Sequence, residues 1–189
     1  MTWIKVIPIS QAEGKLKEAF ERQRSMYPPE YAVQVPELPV KDSGGIVPAH
    51  SLIPDAMEHA FSTFGALMSP DLPLSRREQE LIATAVSITN RTRYCSLSHL
   101  EFLRIVTKDD ELTKAFKTDP LSAPLTDSEK VIVEYAIQIT KDATKIDKSW
   151  HDRLRSIGYD DVGILQITMI AAWFNYINRM ADALGVGRE

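Results

Sequence analysis

The chain has 189 residues, 44% of them hydrophobic and 25% charged, a composition that fits one globular domain with a sizeable core and excludes a disordered segment. A formal net charge of -4, with basic residues scattered along the sequence, argues against a nucleic-acid partner. No apolar run approaches the roughly 18 residues that span a bilayer, the N-terminus lacks the zones of a signal peptide, and one cysteine excludes an internal disulfide, so a reducing cytoplasm is the expected compartment.

In chain order the signals are helical. Ser10-Gln11-Ala12-Glu13 reads as a capping box opening a helix to about Arg24, with Leu16, Ala19 and Phe20 on one side. Tyr27 to Pro48 then holds Pro28, Pro29, Pro36, Pro39, Gly44 and Gly45 without periodicity. It is too long for an ordinary connection and reads as a lid, a wrapping arm or an oligomer contact. From about Leu52 a helix carries Met57, Ala60, Phe61, Phe64 and Leu67, with Pro54 in its first turn. Ser75-Arg76-Arg77-Glu78 is a second capping box, for a helix to about Asn90. A break at Asn90-Arg91-Thr92 precedes a helix bearing Cys95, His99, Phe102, Leu103 and Val106.

A short helix is expected around Glu111 to Phe116, and Thr126-Asp127-Ser128-Glu129 caps the next. Trp150 to Ile157 reads as a short helix closed by Gly158, and Asp160 or Asp161 opens a long one ending near Leu184-Gly185. No period-two run is long enough to build a sheet. The expected fold is all-α, with residues 1–45 as an N-terminal helix and arm and 46–187 as the helical domain.

The chemistry concentrates in Arg93-Tyr94-Cys95-Ser96-Leu97-Ser98-His99. A thiol and an imidazole at i and i+4 share one helix face. A solitary cysteine is most often a small buried hydrophobe. The break before it puts Cys95 in a first helical turn, where free N–H groups and the helix dipole favour an anion and lower a thiol pKa. Glu80 is the third element. It shares the i+4 and i+7 positions with Thr84 and Ser87, a narrow polar stripe on an otherwise apolar helix. On one unbroken helix Glu80 and Cys95 would lie about 22 Å apart, so the break must fold the second helix back. Neither a phosphate-binding loop nor a metal-ligand set is present, since His50, His59 and His151 would have to converge from separate segments. No cofactor is expected.

Leu74 to Ala83, Tyr94-Cys95-Ser96-Leu97-Ser98-His99, the closing Phe174 to Val186 and His50-Ser51-Leu52 with Pro54 together resemble the AhpD-like family, the alkylhydroperoxidase and carboxymuconolactone decarboxylase superfamily, in its peroxidase-related subgroup. The resemblance covers about residues 46–187. It implies an AhpD-like helical bundle, with Glu80 as the active-site glutamate, Cys95 as the peroxidatic nucleophile and His99 as the proton relay. It also implies a hydroperoxide substrate and a homo-oligomer, a trimer or hexamer. The family's resolving cysteine is replaced by Thr92, so recycling is expected to need an external thiol. Two rivals remain open: a decarboxylase-like or isomerase-like enzyme using Glu80 and His99 without redox chemistry, and an oligomeric protein with a relict site, which would have an unperturbed thiol and no pocket.

Overall fold

The computed structural model describes residues 2–38 and 42–188. Eight α-helices make up the described fold: α1 (Gly14–Arg24), α2 (Pro54–Leu67), α3 (Arg76–Thr89), α4 (Arg93–Thr107), α5 (Asp110–Thr118), α6 (Asp127–Asp142), α7 (Lys148–Ser156) and α8 (Asp161–Leu184). Short 3-10 turns punctuate the connections, and no strand occurs among the described residues. None of the described helices is long and apolar enough to cross a membrane.

Local chemistry sets most of the boundaries. Ser75 and Thr126 both form complete capping boxes, each side chain accepting from the backbone N–H three residues on while Glu78 or Glu129 reaches back. The side chains of Asp109, Asp147 and Asp160 cap α5, α7 and α8, each accepting from one backbone N–H of the first turn. Gly185 ends α8 at φ 73°, in the left-handed region where a side chain is strained, and the Trp3 indole packs against its Cα.

The start of α1 differs from the sequence expectation. Ser10 lies in a 3-10 turn, Ile9–Gln11, and α1 begins at Gly14 behind Glu13, whose side chain makes no cap. The Ser10 hydroxyl and backbone N–H instead bond to Asp42, in the Pro/Gly-rich arm. That long-range bond competes with the local cap and removes it.

α3 is the hub. Every residue from Gln79 to Ser87 is buried, and α3 packs against α4, α6 and α8. A helix buried on all sides is the interior member of a bundle. The chain reverses between α3 and α4 through Arg91 at φ 59°, and Thr92 N–H donates to the Ser87 carbonyl at 3.1 Å. The arm does not stand away from the bundle: Tyr27 and Tyr31 pack on the main core, and Val35 and Leu38 pack with Phe102 of α4.

α8 carries both apolar and polar faces around its circumference. Phe174 and Ile177 are buried, and Trp173 packs against Phe64 and donates its indole N–H to the Ala60 carbonyl. Asn175, Asn178 and Asp182 supply a polar face toward the α3–α4 turn, bonding to Asn90 and Thr92. Val162, Leu165, Met169 and Tyr176 lie exposed on the outer face.

Candidate active site

The reversal at Arg91 brings Glu80 and His99 together. Glu80, one turn into α3, is wholly buried, and its Oε2 accepts from His99 Nδ1 at 2.8 Å. Its Oε1 accepts from the Tyr31 hydroxyl at 2.5 Å and from Arg76 Nη2 at 2.6 Å. Arg76 also grips Glu30 at 2.6 Å, so two carboxylates share one guanidinium. Burial by itself opposes ionisation of Glu80, but His99, Arg76 and Tyr31 outweigh it and hold the carboxyl below its usual range. Glu80 is therefore an anion at neutral pH, and no first-turn surface residue.

An anionic Glu80 fixes the histidine. With Nδ1–H donated to the carboxylate, the ring turns Nε2 away from Glu80, and Nε2 has no hydrogen-bond partner among the described residues. Three aromatic rings clamp the imidazole edge-to-face: Phe174 at 4.6 Å, Phe102 at 5.3 Å and Tyr31 at 5.6 Å between centroids. Orientation is thus set by one hydrogen bond and three packed rings.

His99 and Cys95 open onto the same cavity of about 160 Å³, walled chiefly by Tyr27, Phe61, Phe64, Tyr94, Phe102 and Trp173. That is room for a small organic molecule or a few waters in an apolar, aromatic setting. Cys95 makes no hydrogen bond to His99 or Glu80. Among the described residues, no three His, Cys, Asp or Glu side chains converge as metal ligands.

The thiol itself departs from the expectation of a lowered pKa. Cys95 is 3% exposed, and burial pushes the thiol up to about 12. The nearby Asn178 side chain works against that rise, whereas the Asp182 carboxylate adds to it. The first-turn position that favours an anion is present, since Cys95 is the third residue of α4. Desolvation outweighs it because no cation among the described residues offsets the burial of the sulfur, and the negative charge of Asp182 adds to the rise.

Thr92, at the position where the family resemblance places a resolving cysteine, is buried and donates Oγ1 to Asp182 at 2.7 Å. Asp182 also pairs with Arg188 at 2.8 Å. Asn178 is wholly buried, accepts from Asn90 Nδ2 at 3.0 Å and donates to Ser87 Oγ at 3.2 Å.

All three residues expected from the sequence lie in this region: Glu80 is bonded to His99 from behind, and Cys95 lines the cavity with His99 without a hydrogen bond to either. Sequence reasoning missed Tyr31, Arg76, Asn178 and Asp182. Asn178 and Asp182 carried a readable signal, because they are polar at i and i+4 on an apolar helix, as Glu80 and Thr84 are. Tyr31 carried none, standing in a stretch without periodicity.

Comparison with known proteins agrees with this architecture. Residues 54–112 match the model of the carboxymuconolactone decarboxylase family. The fold is similar to an alkylhydroperoxidase AhpD core, an uncharacterized peroxidase-related protein from Ralstonia eutropha JMP134, with a TM-score of 0.78 and 22% identity over 98% of this chain and 90% of that one. It is also similar to an uncharacterized peroxidase-related protein from Silicibacter sp. TM1040, with a TM-score of 0.72 and 24% identity over 84% and 92% of the two chains. No curated protein sequence gives a significant match.

Proposed function

We propose that this chain, an AhpD-like helical protein with a carboxymuconolactone decarboxylase segment, is a thiol-dependent peroxidase in which Cys95 reduces a hydroperoxide and an external thiol restores it. The observation that carries the reading is His99, held through Nδ1 by a buried carboxylate and presenting an unpartnered Nε2 in the cavity that also holds the only thiol.

A thiol pushed up to about 12 is not pre-ionised, so deprotonation belongs to the reaction. Nε2 takes the S–H proton as the sulfur attacks the terminal oxygen of the hydroperoxide. The S–O bond forms while the O–O bond breaks. Sulfur is oxidised to sulfenic acid, the peroxide is reduced, and the departing alkoxide leaves as an alcohol with the proton from Nε2. Glu80 stabilises the imidazolium that carries the proton between the two steps. An external thiol then attacks the sulfenic sulfur and releases water, and a second thiol frees Cys95 from the mixed disulfide. Such cycling suits a reducing cytoplasm.

A second reading draws support from the thiol pKa: an enzyme using the Glu80–His99 pair for proton transfer on a small organic acid, with Cys95 as an apolar wall. The cavity and the bonded pair both count against a relict site. Stopped-flow mixing with cumene hydroperoxide, followed by trapping of sulfenic acid with dimedone, decides between the first two. Oxidation of Cys95 no faster than that of a free thiol refutes the peroxidase. Cys95→Ser then abolishes peroxide turnover under the first reading and spares proton transfer under the second.

We also infer self-association through the outer face of α8, where Val162, Leu165, Met169 and Tyr176 stand exposed at spacings of three, four and seven residues, one side of the helix. Light scattering on Leu165→Glu checks it, and an unchanged mass in a folded variant refutes it.

A further inference from the structure

Glu80 divides its two oxygens between different tasks. Among the described residues, Oε2 has one partner, His99, and Oε1 has the two donors Arg76 and Tyr31. Arg76 comes from the same helix one turn earlier, a position α3 supplies unaided. Tyr31 comes from the 3-10 turn Pro29–Ala32 of the arm, 49 residues away in sequence and outside the segment that matches the family model. Its ring is stacked on Phe102 at 4.4 Å and on Phe64 at 5.7 Å, between the arm and the helices that line the cavity. Its neighbour Glu30 accepts from Nε and Nη2 of Arg76, sharing Nη2 with Glu80. Two consecutive arm residues therefore close on the Arg76–Glu80 pair.

We infer that Tyr31 is a positioning residue of the active site: its hydroxyl pins Oε1 of Glu80, which turns Oε2 onto His99 and makes the arm part of the proton relay. The inference rests on the Glu80–His99 pair of the proposed reaction. Arg76 and His99 hold one oxygen each, and the second donor on Oε1 narrows the terminal torsion further. Burial and the adjacent carboxylate push the Tyr31 phenol well above its usual range, so at any working pH it remains a donor. A pure packing role would need the ring alone.

The groups facing Glu80 are Arg76 on its own helix, His99 on α4 and Tyr31 on the arm, with Glu30 behind Arg76. Of these, Tyr31→Phe removes one hydroxyl and keeps the ring stacking. Because the hydroxyl favours the carboxylate, its loss makes Glu80 easier to protonate. The ¹³C carboxyl shift of Glu80, assigned with Glu80→Gln, should then titrate with a midpoint about half to one pH unit higher than in the unaltered protein. The acid limb of the hydroperoxide reaction should move up by the same amount. Replacement of Tyr31 by 3-fluorotyrosine, which keeps the shape and strengthens the donor, should lower the midpoint, so the sign can still be tested if Tyr31→Phe fails to fold.

An unmoved Glu80 midpoint in a folded Tyr31→Phe protein, or an upward shift with fluorotyrosine, overturns the inference. A shifted midpoint in a protein whose Cys95 does not react with hydroperoxide refutes the peroxidase reading and leaves the role of Tyr31 standing.

Discussion

The resting state of Cys95 gives the sharpest quantitative test. With the thiol at about 12, about one molecule in ten thousand is a thiolate at pH 8, against about one in four for a free thiol near 8.5. Alkylation by iodoacetamide should therefore run about two thousand-fold slower than in the same protein unfolded in urea, before any further slowing from the small exposed area of the sulfur. Ionising Cys95 in the resting protein costs about 5 kcal/mol more than ionising a free thiol, and that is what His99 has to offset during the reaction. Intact-mass spectrometry reads the adduct without ambiguity, because the chain has one cysteine. The rate should climb about tenfold per pH unit through pH 10 with no plateau. Oxidation by hydroperoxide should climb less steeply, since Nε2 takes the proton in the encounter, and His99→Gln should remove that difference. A plateau with a midpoint below about 8.5 would refute the reasoning, because it would mean a thiolate formed before substrate arrives.

Three further outcomes follow from the same contacts. Asp182→Asn removes the carboxylate that raises the thiol and should speed Cys95 alkylation at pH 9, read by the same mass assay, while an unchanged rate would leave burial as the sole cause. Glu80→Gln leaves Arg76 paired with Glu30 and should cost about 2 kcal/mol at pH 7, or about 4–8 °C in melting temperature by calorimetry. Because the folded Glu80 pKa lies below its unfolded value, this stabilisation is complete above the unfolded value and fades as pH falls through the folded one. The gap between the two proteins should therefore close in acid, and a gap that is constant with pH would contradict the assignment. Thr92→Cys restores the Cys-x-x-Cys spacing at the loss of the Asp182 hydrogen bond. After one equivalent of hydroperoxide it should lose the mass of two hydrogens as an internal disulfide, where the unaltered protein keeps a trappable sulfenic acid.

Much of the helical layout was legible because it rests on local chemistry. The Ser75 and Thr126 boxes, the Asp160 cap and the Gly185 stop all act within one helical turn, so nearby residues are enough to read them. Ser10 shows where that reading fails: the motif was present, but Asp42 from the arm took its hydrogen bonds. Glu80 was readable for a related reason, since a carboxylate with Thr84 and Ser87 on an apolar helix has to be buried with partners. The identity of those partners was not readable. Arg76 stood four residues away and passed as part of a capping box, and Tyr31 stood in a stretch with no period to read.

By itself the sequence determined an all-helical chain, its turns, and a thiol, an imidazole and a carboxylate at spacings that a single reversal can unite. The tertiary structure alone decided three things. The left-handed turn at Arg91 laid α4 back on α3, so that His99 rather than Cys95 met Glu80. The arm closed over the pair and brought the Tyr31 hydroxyl with it. Cys95 was left a protonated thiol despite its place in a first helical turn. The common cause is range. Capping and periodicity act over one turn of helix, whereas desolvation and buried charge sum over every element that packs around an atom.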